Sequence, residues 1–275
     1  MTQVIWTVFA GRRGNLELQL KYTDILHARG LLHEVHYWNF TRSHEDDMWL
    51  RDTFDKEGRT ERLYVKVFHP NKSRGWRDYY EHYRRDRYPE HVIIKCDDDV
   101  VFVDVDAFEG FIQRRLQNTQ DICAFASIVN NGVVAHLQQK QGLIPASLGE
   151  FPYDTFCGKL WNEGYLATRL HYYFVQNKDA WLSMTREIEG QLYRHPIGDR
   201  ISINFFAILS QDLPIYQEVG HDDEADISIH LPLRKNRHHY VDLGFTVAHL
   251  SFYRQIETGL NATHVREMYA TIAPQ

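Results

Sequence analysis

His91-Val-Ile-Ile-Lys-Cys-Asp-Asp-Asp-Val-Val-Phe-Val-Asp104 is the stretch from which the rest of the chain can be read. Val92, Ile93 and Ile94 make a short β-branched run of the kind that forms a strand buried on both faces. Asp97, Asp98 and Asp99 follow at its carboxyl end, and the chain turns apolar again from Val100 to Val103. Carboxylates between two buried runs are costly to strip of water unless a counter-charge meets them. A divalent cation is the simplest counter-charge, because hard oxygen ligands suit Mg²⁺ or Mn²⁺. In an open α/β sheet, the carboxyl ends of the strands are also where ligands bind. The plain alternative is a solvated turn, since aspartate is a common turn residue.

Composition bounds what surrounds this stretch. The 275 residues, 43% hydrophobic, suffice for one large α/β domain. With 31 basic and 37 acidic residues the formal charge is −6, which gives no basic field of the kind nucleic acids bind. Cys96, Cys123 and Cys157 are too few and too dispersed for a disulfide framework or a zinc site, and a reducing compartment suits them. The opening apolar run is too short to span a membrane and lacks a signal-peptide layout, so the expectation is a soluble, cytoplasmic protein with no membrane span.

Upstream of the acids, Val4 to Phe9 reads as a strand and Ala10 to Gly14 as the turn after it. Asn15 is placed as the cap of an amphipathic helix to about Ala28, ended by Gly30, and Leu32 to Phe40 reads as a second strand. This β-α-β opening implies a parallel sheet with a right-handed crossover. A nucleotide on the first turn would have its base against the backbone at Phe9 and Ala10, with Arg12 or Arg13 near the diphosphate. A solvated arginine pair is the alternative. Arg62 to Phe68 alternates as a third strand, and Arg77 to Arg87 reads as an aromatic, basic helix. Between them, Lys72, Arg74 and Trp76 could clamp a pyrophosphate and stack on a ring. Trp76 and Tyr80 packing the helix onto the sheet is the blander reading, preferred for Tyr80.

Downstream, Val105 to Leu116 reads as a helix and Asp121 to Ile128 as a strand, running into the turn Val129-Asn-Asn-Gly132. Residues 1–130 and 131–275 read as two halves of one domain. Residues 137–173 read as a long irregular, aromatic segment suited to a sugar surface or to ordinary packing. Asn177 to Ile188 looks helical. Asp199 is placed as the cap of a strongly apolar helix running to Leu209, where a carboxylate stays ionised as a general base must. A second acidic cluster, Asp222-Asp-Glu224, is a loop by default and a rival source of the base through Asp223 or Glu224. Phe245 to Ala248 is strand-like, with His249 at its end.

Lys95-Cys-Asp-Asp-Asp-Val-Val-Phe102 resembles the DxD motif of GT-A fold, nucleotide-sugar-dependent glycosyltransferases, and His249-Leu-Ser-Phe-Tyr-Arg-Gln255 is similar to an element of bacterial capsule-type and large-DNA-virus members. The opening Thr7-Val-Phe-Ala-Gly-Arg, the triplet, the Asp199 segment and the His249 strand occur in the expected order. The resemblance implies an α/β, GT-A (Rossmann-like), mixed and mostly parallel sheet flanked by helices. It implies Mn²⁺ or Mg²⁺ held by Asp97, Asp99 and His249, with Asp97 and Asp98 also at the nucleotide. Asn130 and Asn131 would face the donor sugar hydroxyls and Asp199 would be the base. The same resemblance makes residues 1–130 a nucleotide-binding half and 131–275 an acceptor-binding, catalytic half. The implied reaction transfers a sugar with inversion from a UDP-sugar (UDP-xylose or UDP-N-acetylglucosamine type) to a glycan acceptor. A sugar-phosphate nucleotidyltransferase and a non-catalytic carbohydrate-binding protein are the alternatives. The former would want a longer glycine-rich, basic loop than Ala10 to Gly14.

Overall fold

The computed structural model of the chain describes residues 2–55, 64–70, 75–83, 88–155, 158–214, 220 and 222–275. Its strands are β1 (Val4–Ala10), β2 (Glu34–Asn39), β3 (Val65–Phe68), β4 (Val92–Asp97), β5 (Val100–Val103), β6 (Cys123–Val129), β7 (Leu192–His195), β8 (Phe205–Leu209) and β9 (His239–His249). They form one sheet in the order β3-β2-β1-β4-β8-β6-β9-β5, with β7 joined to β9. Pairing is parallel from β3 to β4 and again between β6 and β9, and antiparallel where β8 joins β4 and β6. The helices are α1 (Arg13–Ala28), α2 (His44–Leu50), α3 (Arg77–His82), α4 (Phe108–Gln117), α5 (Gly132–Lys140), α6 (Lys159–Asn162), α7 (Gly164–Gln176), α8 (Lys178–Glu187), α9 (Asp223–Ala225), α10 (Leu231–Lys235), α11 (Tyr253–Glu257) and α12 (Ala262–Ile272).

Side-chain alternation explains how the sheet is buried on both faces. In β1, Val4, Trp6, Val8 and Ala10 enter one apolar cluster and Ile5 the other. In β4, Val92, Ile94 and Cys96 take the first face and Ile93 the second. The β-branched run read from the sequence is this strand, and the acids stand at its carboxyl end. The β-α-β opening is also as expected, and Gly30 adopts φ 71°, the left-handed conformation that lets the chain leave α1 cheaply.

Four expectations need correction. The apolar run ending at Leu209 is not a helix opened by Asp199: its ordered core is β8. Phe205, Ala207 and Leu209 enter one cluster while Phe206 and Ile208 enter the other, so period two wins over the helical reading once β4 and β6 are there to pair with. Residues 137–173 are not irregular throughout: they take in the end of α5, α6 and most of α7, where Leu166, Ala167, Leu170, His171 and Phe174 give one buried stripe. Asn15 lies buried inside α1, which begins at Arg13 with no side-chain cap. Asp222 to Ala225 is an ordered turn of helix rather than a solvated loop, capped by Asp222 accepting from Ala225 N at 3.0 Å. Residues 62–63 and 84–87, which complete the third strand and the basic helix in the sequence reading, lie outside the described residues, as does Cys157.

Candidate active site

β4 carries Asp97 at its carboxyl end, the turn into β5 carries Asp98 and Asp99, and β9 ends at His249. Pairing of Val100 with His249, and donation by Leu250 N to Asp99 O at 2.7 Å, bring the two segments together. One ligand atom each from Asp97, Asp99 and His249 lies within 4.8 Å of the others. Two carboxylates and an imidazole are a donor set for Mn²⁺ or Mg²⁺, and His249 Nδ1 is buried with no protein partner, so these residues fit a divalent cation.

The charges of the cluster are already arranged. Asp99 Oδ1 lies 3.3 Å from His249 Nε2. Burial alone would raise the Asp99 carboxyl, but His249 and Arg12 outweigh it and hold it below the usual carboxylate range. Burial likewise opposes a charged His249, and Asp99 reverses the sign and raises it. Asp97 is paired with Lys95 and accepts from Asn204 Nδ2 at 3.2 Å, while its carbonyl accepts from Gln19 Nε2 at 2.7 Å. Lys95 is buried in β4 with its ammonium 2.9 Å from Ile203 O and over the Phe9 ring, so the strand carries its own cation beneath the acids.

The expected nucleotide residues divide. Arg12 is on the acids, donating to Asp98 through Nε and Nη2 and to Asp99 through Nη2. Phe9 packs on Phe40 with ring centroids 5.0 Å apart, and the Ala10 carbonyl accepts from Phe40 N. Beside them, at the carboxyl ends of β2 and β3, a groove of about 480 Å³ is lined by Asn39, Phe40, Arg42, His44 and His69 among others. Trp76 is half-buried against the second apolar cluster, and Tyr80 is fully buried as the blander reading held. Lys72 and Arg74 lie outside the described residues.

A second cavity, of about 330 Å³, opens beyond Asn131. Asn131 caps α5 and donates to Ser202 O at 3.0 Å and Asn204 Oδ1 at 3.2 Å, which links the cavity wall to the Asp97 partner. Arg200 reaches into the cavity, gripped by Asp222 (3.0 Å) and Glu224 (2.6 Å). Trp161, Phe252 and Tyr253 supply an aromatic wall, with Tyr253 edge-on to Trp161 at 5.2 Å. Asp223 opens α9 and is partly buried. Burial pushes its carboxyl up to about 6; Lys95 opposes the shift and Asp97 adds to it, so Asp223 stands within electrostatic reach of both. Asp199 sits instead in the turn after β7, where it accepts from the Tyr153 hydroxyl at 2.9 Å; Asp222 and Glu224 line the cavity, and neither Asp199 nor Asp223 does.

Sequence reading missed Lys95, Gln19, Asn204 and Gln255, and it expected Asn130 at the donor sugar, whereas Asn130 is fully buried with its amide on Gln255. A lysine inside a buried β-branched run was the one clear sign, since a buried ammonium needs an anionic partner.

No protein-family model matches the chain, and no curated protein matches it. Along 90% of its length it is similar to the crystal structure of GalNAc-T7 with UDP, GalNAc and Mn²⁺, at 12% identity and a TM-score of 0.50, and it spans 44% of that chain. It also aligns with CMP:2-keto-3-deoxy-manno-octonic acid synthetase complexed with CTP, at 10% identity and a TM-score of 0.47, over 98% of this chain and 99% of that one. Among the described residues no helix is long and apolar enough to cross a membrane. At such identities the likeness is one of architecture, and that architecture is the mixed, Rossmann-like GT-A fold.

Proposed function

We propose that the chain is a metal-dependent glycosyltransferase that moves a sugar from a nucleoside-diphosphate donor to a glycan hydroxyl with inversion. The observation that carries this reading is the Asp97, Asp99 and His249 cluster at the carboxyl ends of the strands, set between a groove and a polar, aromatic-walled cavity. The groove at Phe40 and Arg42 suits the nucleoside, with uracil as the proposed base by analogy with the fold. Asp97, Asp99 and His249 would hold Mn²⁺ or Mg²⁺, which as a Lewis acid neutralises charge growing on the leaving diphosphate. Asn131 and Arg200 stand where donor-sugar and acceptor hydroxyls would meet them, and Trp161 and Tyr253 offer ring faces to a sugar.

Asp223 is the better-supported base. Its carboxyl is raised to about 6, it is fixed at the start of α9, and it feels the charge of Asp97. Asp199 lost the helix terminus that recommended it. In this reading Asp223 takes the proton of the acceptor hydroxyl, whose oxygen forms a bond to the anomeric carbon as that carbon's bond to the diphosphate breaks. An α-linked donor then yields a β-linked product.

The test is incubation with Mn²⁺ and a panel of UDP-sugars including UDP-xylose and UDP-N-acetylglucosamine, following UDP release. Metal-dependent UDP release from one donor supports the reading. No release from any nucleotide sugar, or unimpaired release in excess EDTA, counts against it.

A further inference from the structure

Arg12 makes more contacts to the acids than a diphosphate-binding arginine needs. Its Nε and Nη2 donate to the two oxygens of Asp98 at 2.9 and 2.5 Å, and Nη2 also donates to Asp99 Oδ2 at 2.9 Å. The other oxygen of Asp99 faces His249. Both oxygens of a proposed metal ligand are therefore engaged by groups of the chain itself. Exposure sets an order of encounter: the Asp98 and Asp99 side chains are 9% and 8% exposed and that of Arg12 is 49% exposed. A cation arriving from solvent meets the guanidinium before it meets the carboxylates. Arg12 lies in extended backbone ahead of α1 and makes no cap with its side chain, so swinging that side chain breaks no helical hydrogen bond. The planar fork that fits Asp98 fits a phosphate equally well.

We infer that Arg12 is an exchangeable counter-ion: it competes with a divalent cation for Asp99, and yields that carboxylate when a diphosphate offers its guanidinium another anion. The inference rests on the donor site proposed above and adds that metal and diphosphate bind interdependently. By linkage the dependence is reciprocal, each ligand tightening the other by the same factor.

Titration of Mn²⁺ into the protein with and without UDP, reading free Mn²⁺ by electron paramagnetic resonance, tests this. UDP should tighten Mn²⁺ binding to the wild type by about 10–100-fold, inside the usual range for coupled sites. With Arg12→Gln, Mn²⁺ alone should bind roughly fivefold tighter than to the wild type, and UDP should tighten it by a factor about fivefold smaller than in the wild type, the remainder being direct contact between cation and diphosphate. Thermal melting establishes that the variant is folded. Should it not fold, Arg12→Lys replaces it; one ammonium cannot span both carboxylates, so the coupling factor should fall below the wild-type value. Independent binding of Mn²⁺ and UDP to the wild type, or wild-type coupling in the folded variant, overturns the exchange and leaves the proposed function standing. A wild type that binds neither overturns both.

Discussion

Asn130 and Gln255 exchange a reciprocal pair of amide hydrogen bonds, Asn130 Nδ2 to Gln255 Oε1 at 2.9 Å and Gln255 Nε2 to Asn130 Oδ1 at 2.7 Å. Both are fully buried, and Asn130 Nδ2 also lies 3.3 Å from His249 O and 3.2 Å from Leu250 O. The end of β6, the start of α11 and the backbone that presents His249 are thus fastened at one point. Asn130 does this from a left-handed φ of 68°, which asparagine tolerates better than most residues.

Asn130→Ala is therefore expected to destabilise the fold. Gln255 keeps Leu160 O and Phe252 N as partners, so the loss is one buried N–H left unpaired, which costs about 1–3 kcal/mol, and holding alanine in the left-handed region adds about 1–2 kcal/mol. Urea unfolding should show a lowered midpoint at unchanged slope. An unaltered midpoint would remove the fastening role.

Asp99→Asn should abolish Mn²⁺ binding and turnover while leaving a folded chain. The readout is the thermal shift that Mn²⁺ with UDP gives by mass action, expected in the wild type and missing in the variant. His249→Ala should weaken the same shift without removing both carboxylate ligands. A wild-type shift in Asp99→Asn would place the cation elsewhere.

Asp223→Asn should lower kcat by about 10²–10⁴-fold, the usual contribution of a general base, with little change in donor binding. A base works deprotonated, and burial followed by the Asp97 charge sets the Asp223 carboxyl to about 6. The rate should accordingly hold above that pH and decline tenfold per unit below it. Loss of activity in Asp199→Asn but not in Asp223→Asn would reverse the assignment, and an α-linked product by NMR would refute inversion for either acid.

Stability should fall in mild acid because of two buried histidines outside the proposed ligand set. Burial pushes both His171 and His239 down to about 3, so the folded state binds their protons later than the unfolded chain, which binds them near 6.5. The neutral rings contribute full stability above about pH 6.5, and this is lost as the pH falls towards about 3, by up to roughly 1.4 kcal/mol per pH unit for each ring. Denaturant midpoints at pH 7 and pH 5 check the sign. A higher midpoint at pH 5 would contradict it.

The parts legible in the sequence were those whose local pattern and tertiary role agree. The β-branched run from Val92 to Ile94 reads as a buried strand with Asp97 at its end, and His249 ends a second strand-like run, while it was the resemblance that joined them to Asp99 as one site. The run from Ile201 to Leu209 was different. A short apolar segment carries both periods, and the choice between them was made by β4 and β6, which lie far away in sequence. The first turn marked Arg12 or Arg13 as candidates for a phosphate or as a solvated pair, but Arg12's commitment to Asp98 and Asp99 was not legible, since spacing carries no information on side-chain geometry across the sheet. The pairing of Asn130 with Gln255 was illegible for the same reason.

The position of β8 has a consequence for biogenesis. It lies between β4 and β6, so the hydrogen-bond ladder beside Asp97, including Asp97 N to Asn204 O at 2.9 Å, is completed by residues made long after the acidic strand. While the chain is being synthesised, β4 offers an open, apolar edge, and β6 lacks both of its neighbours, β8 and β9. Such edges are where nascent and refolding chains pair wrongly with one another. Closure of the sheet over sequence-distant strands is also a slow step of the kind that high contact order imposes. A ribosome stalled before Phe205 would thus display a chain in which the metal-bearing strand is already synthesised and its edge unprotected.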